Sequence, residues 1–260
     1  MDYTFGDTDE ASRRLRCLAE IYEPETRDLL LAARSLRHDH SFQLAFDLGC
    51  GPGWSTHLLA ATLNPKRTVG LDASERYVAE ARSNHPQLEF MHHDALQTPF
   101  LIDAPDLLFC RFLLTHLRSP RSALQLWAHI AETRALLILH ETEALHSSNP
   151  TLNRYYEMVN EMQSHYGQDL NVGVSLTEAF AGTEWTLIQS KSVTLEKSSR
   201  DMALLHLPNL RTWSKNEFAV QTFDRDEVSE LDRELDLIAS GSKDAGIVYN
   251  TARQVIAERR

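Results

Sequence analysis

The stretch Asp47-Leu48-Gly49-Cys50-Gly51-Pro52-Gly53 sets three glycines at alternate positions directly after a short apolar run. Ser55 and Thr56 then lead into Leu58-Leu59-Ala60-Ala61, a helical pattern. Strand, glycine turn and helix N-terminus, in that order, constrain this chain more than any other feature. Glycine has no Cβ and tolerates positive φ, so backbone can come very close to a ligand at such a turn. The helix behind it begins with unpaired N–H groups. The rest of the chain is expected to build walls around that place.

From residue 43 a rhythm of short apolar strands and helices sets in. Segments 43–48, 68–72, 88–92, 106–110 and 135–139 read as strands. Helices separate them: one running through Leu63, one over 74–82 with Ser74 as its cap, and one carrying Leu124, Trp127 and Ile130. This alternation implies right-handed crossovers and a parallel sheet covered on both faces, a doubly wound α/β domain. Two helices precede the first strand. The first starts at a cap-like Asp7-Thr8-Asp9-Glu10, and the second has Pro24 in its opening turn. Their apolar faces are expected to cover the sheet, the other reading being a lid through which Tyr3, Phe5 or Arg14 reaches a ligand.

After Glu141 the rhythm breaks. Asn149-Pro150 is an N-cap and first-turn pair for a helix bearing Leu152, Tyr155, Val159, Met162 and Tyr166, which Gly167 stops. A short helix over 176–180 and a strand over 185–195 follow. Pro208 interrupts a helical pattern within 198–213, Asp224 caps a clear helix, and a last strand closes the chain over 247–257. Without an internal repeat or a linker, 1–260 reads as a single domain. Within it, 1–42 is a helical cover, 43–141 the ligand-binding half, 142–183 a helical cap insertion, and 184–260 completes the sheet.

With 37 acidic against 26 Lys and Arg residues and a net charge of −11, a broad nucleic-acid-binding surface is not expected. Cys17, Cys50 and Cys110 lie far apart with no CxxC pair, and no secretory signal is evident at Met1, which suggests a reducing, cytoplasmic setting. No apolar run reaches the roughly 20 residues of a membrane span. His92-His93-Asp94 is the one cluster that hints at a metal, but strand neighbours point to opposite faces, so none is expected.

Two ligand classes compete for the glycine turn. Dinucleotide sites use G-x-G-x-x-G. Here Trp54 stands where the third glycine would be, and Asp47 just before the turn suits a cationic ligand better than a pyrophosphate. Asp72 ends the second strand, where an acid accepts from ribose hydroxyls. Asp94, just beyond the third, is placed to accept from the exocyclic amine of an adenine. Each acid alone could simply cap a turn; together they lie in register at one end of the sheet.

These residues resemble the class I S-adenosylmethionine-dependent methyltransferases, in a branch that acts on small molecules. The resemblance covers roughly 43–141. It rests on Asp47 to Gly53, on Gly70-Leu71-Asp72-Ala73-Ser74, on His93-Asp94-Ala95 and on the run from Asp106 to Leu117; the closing 252–257 adds a weaker match. It implies a Rossmann-like, seven-stranded sheet with an antiparallel last strand, N-terminal helices and a helical insertion after the fifth strand. It also implies S-adenosylmethionine as cofactor. Gly49 and Gly51 would lie under its methionine part, with Asp47 near the ammonium. Asp72, with Ala73 beside it, would hold the ribose, and Asp94 and Ala95 the adenine. The backbone at Arg111 would face the methionine end, and Cys50 would pack within the motif.

The expected reaction is in-line transfer of a methyl group to an oxygen or nitrogen of a small molecule. Candidate bases at the strand rim are His116, His140 and Glu141, and candidate substrate contacts from the insertion are Tyr155, Tyr156, His165 and Tyr166. The alternatives are a non-catalytic scaffold or regulator that binds this cofactor or its demethylated product, and a nicotinamide-dependent oxidoreductase. O- and N-methylation, the acceptor and the oligomeric state stay open.

Overall fold

The computed structural model describes residues 8–37, 41–100 and 103–260. Seven strands form one sheet: β1 (Leu44–Leu48), β2 (Arg67–Asp72), β3 (Glu89–His92), β4 (Leu107–Arg111), β5 (Leu136–Ser147), β6 (Trp185–Ser198) and β7 (Ile247–Arg259). Their order is β3-β2-β1-β4-β5-β7-β6. Strands β1 to β5 pair in parallel, and β7 runs antiparallel to both neighbours. The order reverses beside β1, so a crevice opens at the C-terminal ends of β1 and β4, where ligands of such sheets bind.

Both faces of the parallel part of the sheet are buried at β1, β2 and β4, as a parallel sheet requires, while the edge strand β6 is largely exposed. The alternation is read directly from the strands. Phe46, Leu48, Leu108 and Cys110 face one apolar layer, anchored by Trp127 of helix α5 (Pro120–Ile130). Ala45, Leu107 and Phe109 face the other, where Leu29 and Leu30 of α2 (Glu23–Ser35) meet Leu58 and Leu59 of α3 (Trp54–Leu63). Gly70 makes room for α3 and for the ring of Phe90 on the neighbouring strand β3: a Cβ there would stand 2.6 Å from Phe90 and 2.8 Å from Thr56 Oγ1. Helix α4 (Glu75–Asn84) starts at Ser74, whose hydroxyl accepts from Tyr77 N–H as a cap should.

Helix α1 (Asp9–Ile21) begins at Thr8, whose hydroxyl accepts from Ala11 N–H. Tyr3 and Phe5 lie outside the described residues. Lys197 on β6 ties the α1–α2 junction down, donating to Ile21 O and Glu25 Oε1 at 2.7 Å each. A cation at the end of α1 also complements the helix dipole.

The region above the crevice differs from the plain cap insertion expected after Glu141. Strand β5 runs on to Ser147, so His140 and Glu141 lie mid-strand. Helix α6 (Pro150–His165) follows, capped by Asn149, then the short α7 (Leu176–Ala179). A second helical excursion lies between β6 and β7: α8 (Ser199–Trp213), α9 (Glu217–Thr222) and α10 (Arg225–Ala239). Together α6, α8, α9 and α10 enclose a separate core around Tyr155, Met162, Leu210, Trp213 and Leu235. Pro208 sits inside α8, and the bond it forgoes falls to the carbonyl of Leu204, a residue on the exposed side, where water can take it.

Replacing Gly70 with alanine should destabilise the protein by about 1–3 kcal/mol, the usual cost of overpacking a filled core. A lower urea midpoint at unchanged slope would show it. An unchanged midpoint would mean that Phe90 yields without strain.

Candidate active site

Three left-handed glycines make the turn after β1: Gly49 at φ +73°, Gly51 at +51° and Gly53 at +91°. Gly49 and Cys50 donate their N–H groups to Leu71 O at 2.8 and 3.0 Å, which ties the turn to β2. Gly53 is required by packing, since a Cβ there would approach Phe90 to 2.9 Å. Gly51 faces outward, and its Cβ would meet only Leu15 of α1 at 3.4 Å.

Two carboxylates fix this turn. Asp72 accepts Gly51 N–H on one oxygen and Ser74 N–H on the other, both at 2.8 Å. Asp47 is 1% exposed and accepts the hydroxyls of Ser55 and Thr56 at 2.7 and 2.6 Å, fastening the start of α3 to β1. Burial raises its pKa to about 6, against the lowering effects of the two hydroxyls and the charge of Arg111.

Above the turn lies a cavity of about 700 Å³, within the usual size range of ligand pockets. One end is bounded by the glycine turn, Asp72, Ala73, Asp94 and Ala95; Trp127 Nε1–H holds Ala95 O at 2.9 Å. Arg111, Phe112 and Leu113 form the middle. The other end reaches into the cap, where Tyr155, Tyr156, Gln163, His206, Asn209 and Asn250 line it. Helix α1 closes the side, with Arg14, Leu15 and Leu18 all in the wall. This helix therefore does more than cover the sheet.

Residues 45–133 match the family model described as a methyltransferase domain. Trans-aconitate 2-methyltransferase of Methylobacterium radiotolerans is 44% identical over 73 residues, which is 28% of this chain and 27% of that protein. The chain thus aligns with about a quarter of the length of that curated relative. Among solved structures, YcgJ from Bacillus subtilis matches 90% of this chain and 98% of its own at a TM-score of 0.55 and 16% identity. Geranyl diphosphate C-methyltransferase from Streptomyces coelicolor, solved with S-adenosyl-L-homocysteine, matches 99% of this chain and 87% of its own at a TM-score of 0.54 and 12% identity. Over residues 45–133, then, this chain is similar to a methyltransferase domain.

Within this methyltransferase fold the candidate residues separate into two groups. Gly49, Cys50, Gly51, Asp72, Ala73, Asp94, Ala95 and Arg111 line the cavity at its domain end, and His116, Tyr155 and Tyr156 line it further in. Asp47 is sealed beneath the turn and supports it from below. Arg111 donates to Thr26 Oγ1 at 2.9 Å on α2.

The structure corrects four positions. His140 is 0% exposed, packed between the rings of Tyr22 and Phe112 at 6.3 and 5.1 Å, and neither nitrogen is bonded. Burial above all, then the charges of Arg111 and Lys197, pushes its pKa down to about 3, so it packs as a neutral ring. Glu141 is also 0% exposed and accepts the N–H groups of Leu113 and Leu114 at 3.0 and 2.9 Å. It braces the loop after β4 from outside the cavity. His165 and Tyr166 lie on the outer surface of α6, where His165 stacks on Phe218 at 4.2 Å.

Sequence reasoning missed Gln163, His206, Asn209 and Asn250. Arg14, which the lid reading of the first helix had named, does line the cavity. His206 and Asn209 sit beside Pro208 in a segment whose helical pattern was obscured.

Burial raises the pKa of Glu141 from 4.5 to about 7. Between those values the folded protein binds the extra proton, so this group's contribution to stability falls as pH rises through the window. Glu141→Gln removes that dependence. Its stability relative to the parent, read from urea midpoints, should rise between about pH 5 and about pH 8; a flat or falling difference would place the titration elsewhere.

Proposed function

We propose that the protein is an S-adenosylmethionine-dependent methyltransferase acting on the oxygen or nitrogen of a small molecule. The observation that carries this reading is the continuous cavity joining the glycine turn and two strand-end acids to an enclosed cap. The residues present suit the cofactor. Gly51 brings bare left-handed backbone to the cavity wall, and Asp72 and Asp94 are acceptors spaced along the crevice for hydroxyls and an amine. A carboxylate offers about four acceptor positions, so an oxygen that takes one backbone N–H can still accept from a ribose hydroxyl.

When bound, S-adenosylmethionine supplies an electrophilic methyl group on a sulfonium sulfur. The chain's task is then to hold, orient and dry the reactants. Asp72 is itself held by Gly51 and Ser74, so its position is set before any ligand arrives. Helix α1 and the cap wall in the middle of the cavity, and water expelled from it on binding would strengthen every charge interaction there. His116 lines that space, but burial and then the charge of Arg14 push its pKa down to about 3. At neutral pH it is an uncharged ring and a weak base, better suited to orienting an acceptor than to removing a proton.

The direct test is thermal unfolding with S-adenosylmethionine, S-adenosylhomocysteine or NADPH. At free ligand near 100 times its Kd, either sulfur compound should add about 2.7 kcal/mol, and NADPH nothing. Asp72→Ala should remove most of that gain. A response to NADPH alone, or to none of the three, would overturn the proposal. A shift that Asp72→Ala leaves intact would mean that ribose binds elsewhere.

A further inference from the structure

Across the C-terminal ends of the strands the floor of the cavity runs in the order β3, β2, β1, β4. Asp94 follows β3, Asp72 ends β2, the glycine turn follows β1 and Arg111 ends β4, and all of them line the cavity. Leu48 pairs with Cys110, so Arg111 stands beside Gly49 on the neighbouring strand. Neighbouring strands lie about 4.8 Å apart, which sets β4 about 14 Å from β3 across the crevice. Two acids line one half of this row, and a cation closes the other.

The part-buried Arg111 side chain is held there without an ion pair. Its guanidinium donates to Thr26 Oγ1 at 2.9 Å and lies over the Phe112 ring, 5.8 Å from its centre. Thr26 in turn donates to Tyr22 O at 2.7 Å, which leaves its hydroxyl oxygen turned to the arginine as an acceptor. Two carboxylates feel the charge through space, Asp47 and Glu23. Both are engaged elsewhere: Asp47 takes the hydroxyls of Ser55 and Thr56, and Glu23 pairs with Arg27. Among the described residues no carboxylate bonds to Arg111. A guanidinium is a fork of several donors, so most of its hydrogen-bonding capacity is left over.

Burial disfavours the charged form of Arg111, and a cation withdrawn from water without a counter-ion is costly. A ligand that brings an anionic group to the end of β4 removes that cost. A sulfonium or an ammonium group would be repelled from the same place.

The order of groups along the crevice indicates which anion this is. A ligand with an amine-bearing base at Asp94 and hydroxyls at Asp72 carries its third part over the glycine turn toward β4. In S-adenosylmethionine that third part is an amino acid with a free carboxylate. Resting on the methyl-donor reading of this site, we propose that the Arg111 guanidinium binds the carboxylate of the cofactor's methionine part. The planar fork can bond both carboxylate oxygens at once, which makes the contact charge-assisted and directional. Thr26 and Phe112 hold the fork before the ligand arrives, so little side-chain freedom is lost on binding. The rival source of an anion is the methyl acceptor, which the test leaves out.

The full chain, without any acceptor, is titrated calorimetrically with S-adenosylhomocysteine and with its decarboxylated form. The second compound keeps the adenine, ribose, sulfur and ammonium and lacks only the carboxylate. The parent should bind S-adenosylhomocysteine about tenfold or more tightly than the decarboxylated form. Arg111→Gln should lose most of that preference by weakening S-adenosylhomocysteine while leaving the decarboxylated form nearly unchanged. A general loosening of the fold would weaken both. Arg111→Lys keeps the charge and loses the fork, so its preference should fall between the two. Equal binding of the two compounds by the parent would overturn the proposal. So would a preference that survives Arg111→Gln, or an equal loss for both compounds. If Arg111→Gln does not fold, Arg111→Lys decides, and an undiminished preference there overturns the proposal too. Failure of the methyl-donor reading shows separately, as binding of neither compound by the parent.

Discussion

The site depends on two carboxylates that grip one turn from different sides. Three left-handed glycines within five residues give a backbone that can join neither helix nor sheet ladder, yet its N–H groups must be satisfied. Asp72 takes the N–H of Gly51, and Leu71 O takes those of Gly49 and Cys50. Asp47 works from below, binding the first two hydroxyls of α3 so that the helix starts where the turn delivers it. Asp72 thereby holds the turn and lines the crevice at once.

The cavity forms where two cores meet. The sheet core supplies a rigid floor, and the core of α6, α8, α9 and α10 supplies a roof. What joins them is polar and local. The Tyr22 hydroxyl receives Asn250 Nδ2 from β7 and lies 3.9 Å from Met202 Sδ on α8. Lys197 on β6 holds the junction between α1 and α2. The N-terminal helices are therefore fixed by the far edge of the sheet as well as by the turn beneath them. The two layers bound opposite ends of one cavity, and α1 touches both.

Much of this was legible in the sequence where chemistry and local geometry coincide. The glycine turn, Asp72 and Asp94 announced themselves because a strand end followed by a turn is a local pattern that places residues at the crevice. The caps at Ser74, Asn149 and Asp224 were legible for the same reason. Position along the chain failed as a guide once burial depended on distant elements. His140 and Glu141 were expected at a rim because an apolar run ends at Leu139, but β7 pairs with β5 as far as Ser147 and carries the strand past that point. His165 and Tyr166 continue the helical spacing of α6 and yet face outward, since the face turned to the cavity is the one bearing Tyr155, Tyr156, Val159 and Gln163. His206 and Asn209 flank a proline that breaks the pattern by which a helix is recognised, and only the packing of α8 against α1 and α10 brings them inward.

The extension of β5 has a chemical consequence. Had the strand stopped at Leu139, His140 and Glu141 would have formed an acid–base pair at the mouth of the cavity. Buried instead, His140 is a neutral ring in the sheet and Glu141 the acceptor that holds Leu113 and Leu114 in place. Leu113 in turn packs 3.0 Å from where a Cβ of Gly49 would stand, so the brace reaches the glycine turn itself. The carboxylate at the end of that chain contributes to the site through shape. Among the described residues of the cavity wall, fixed charge then stands on Arg14, Arg111, Asp72 and Asp94, and the buried pair on β5 acts on the site through packing alone.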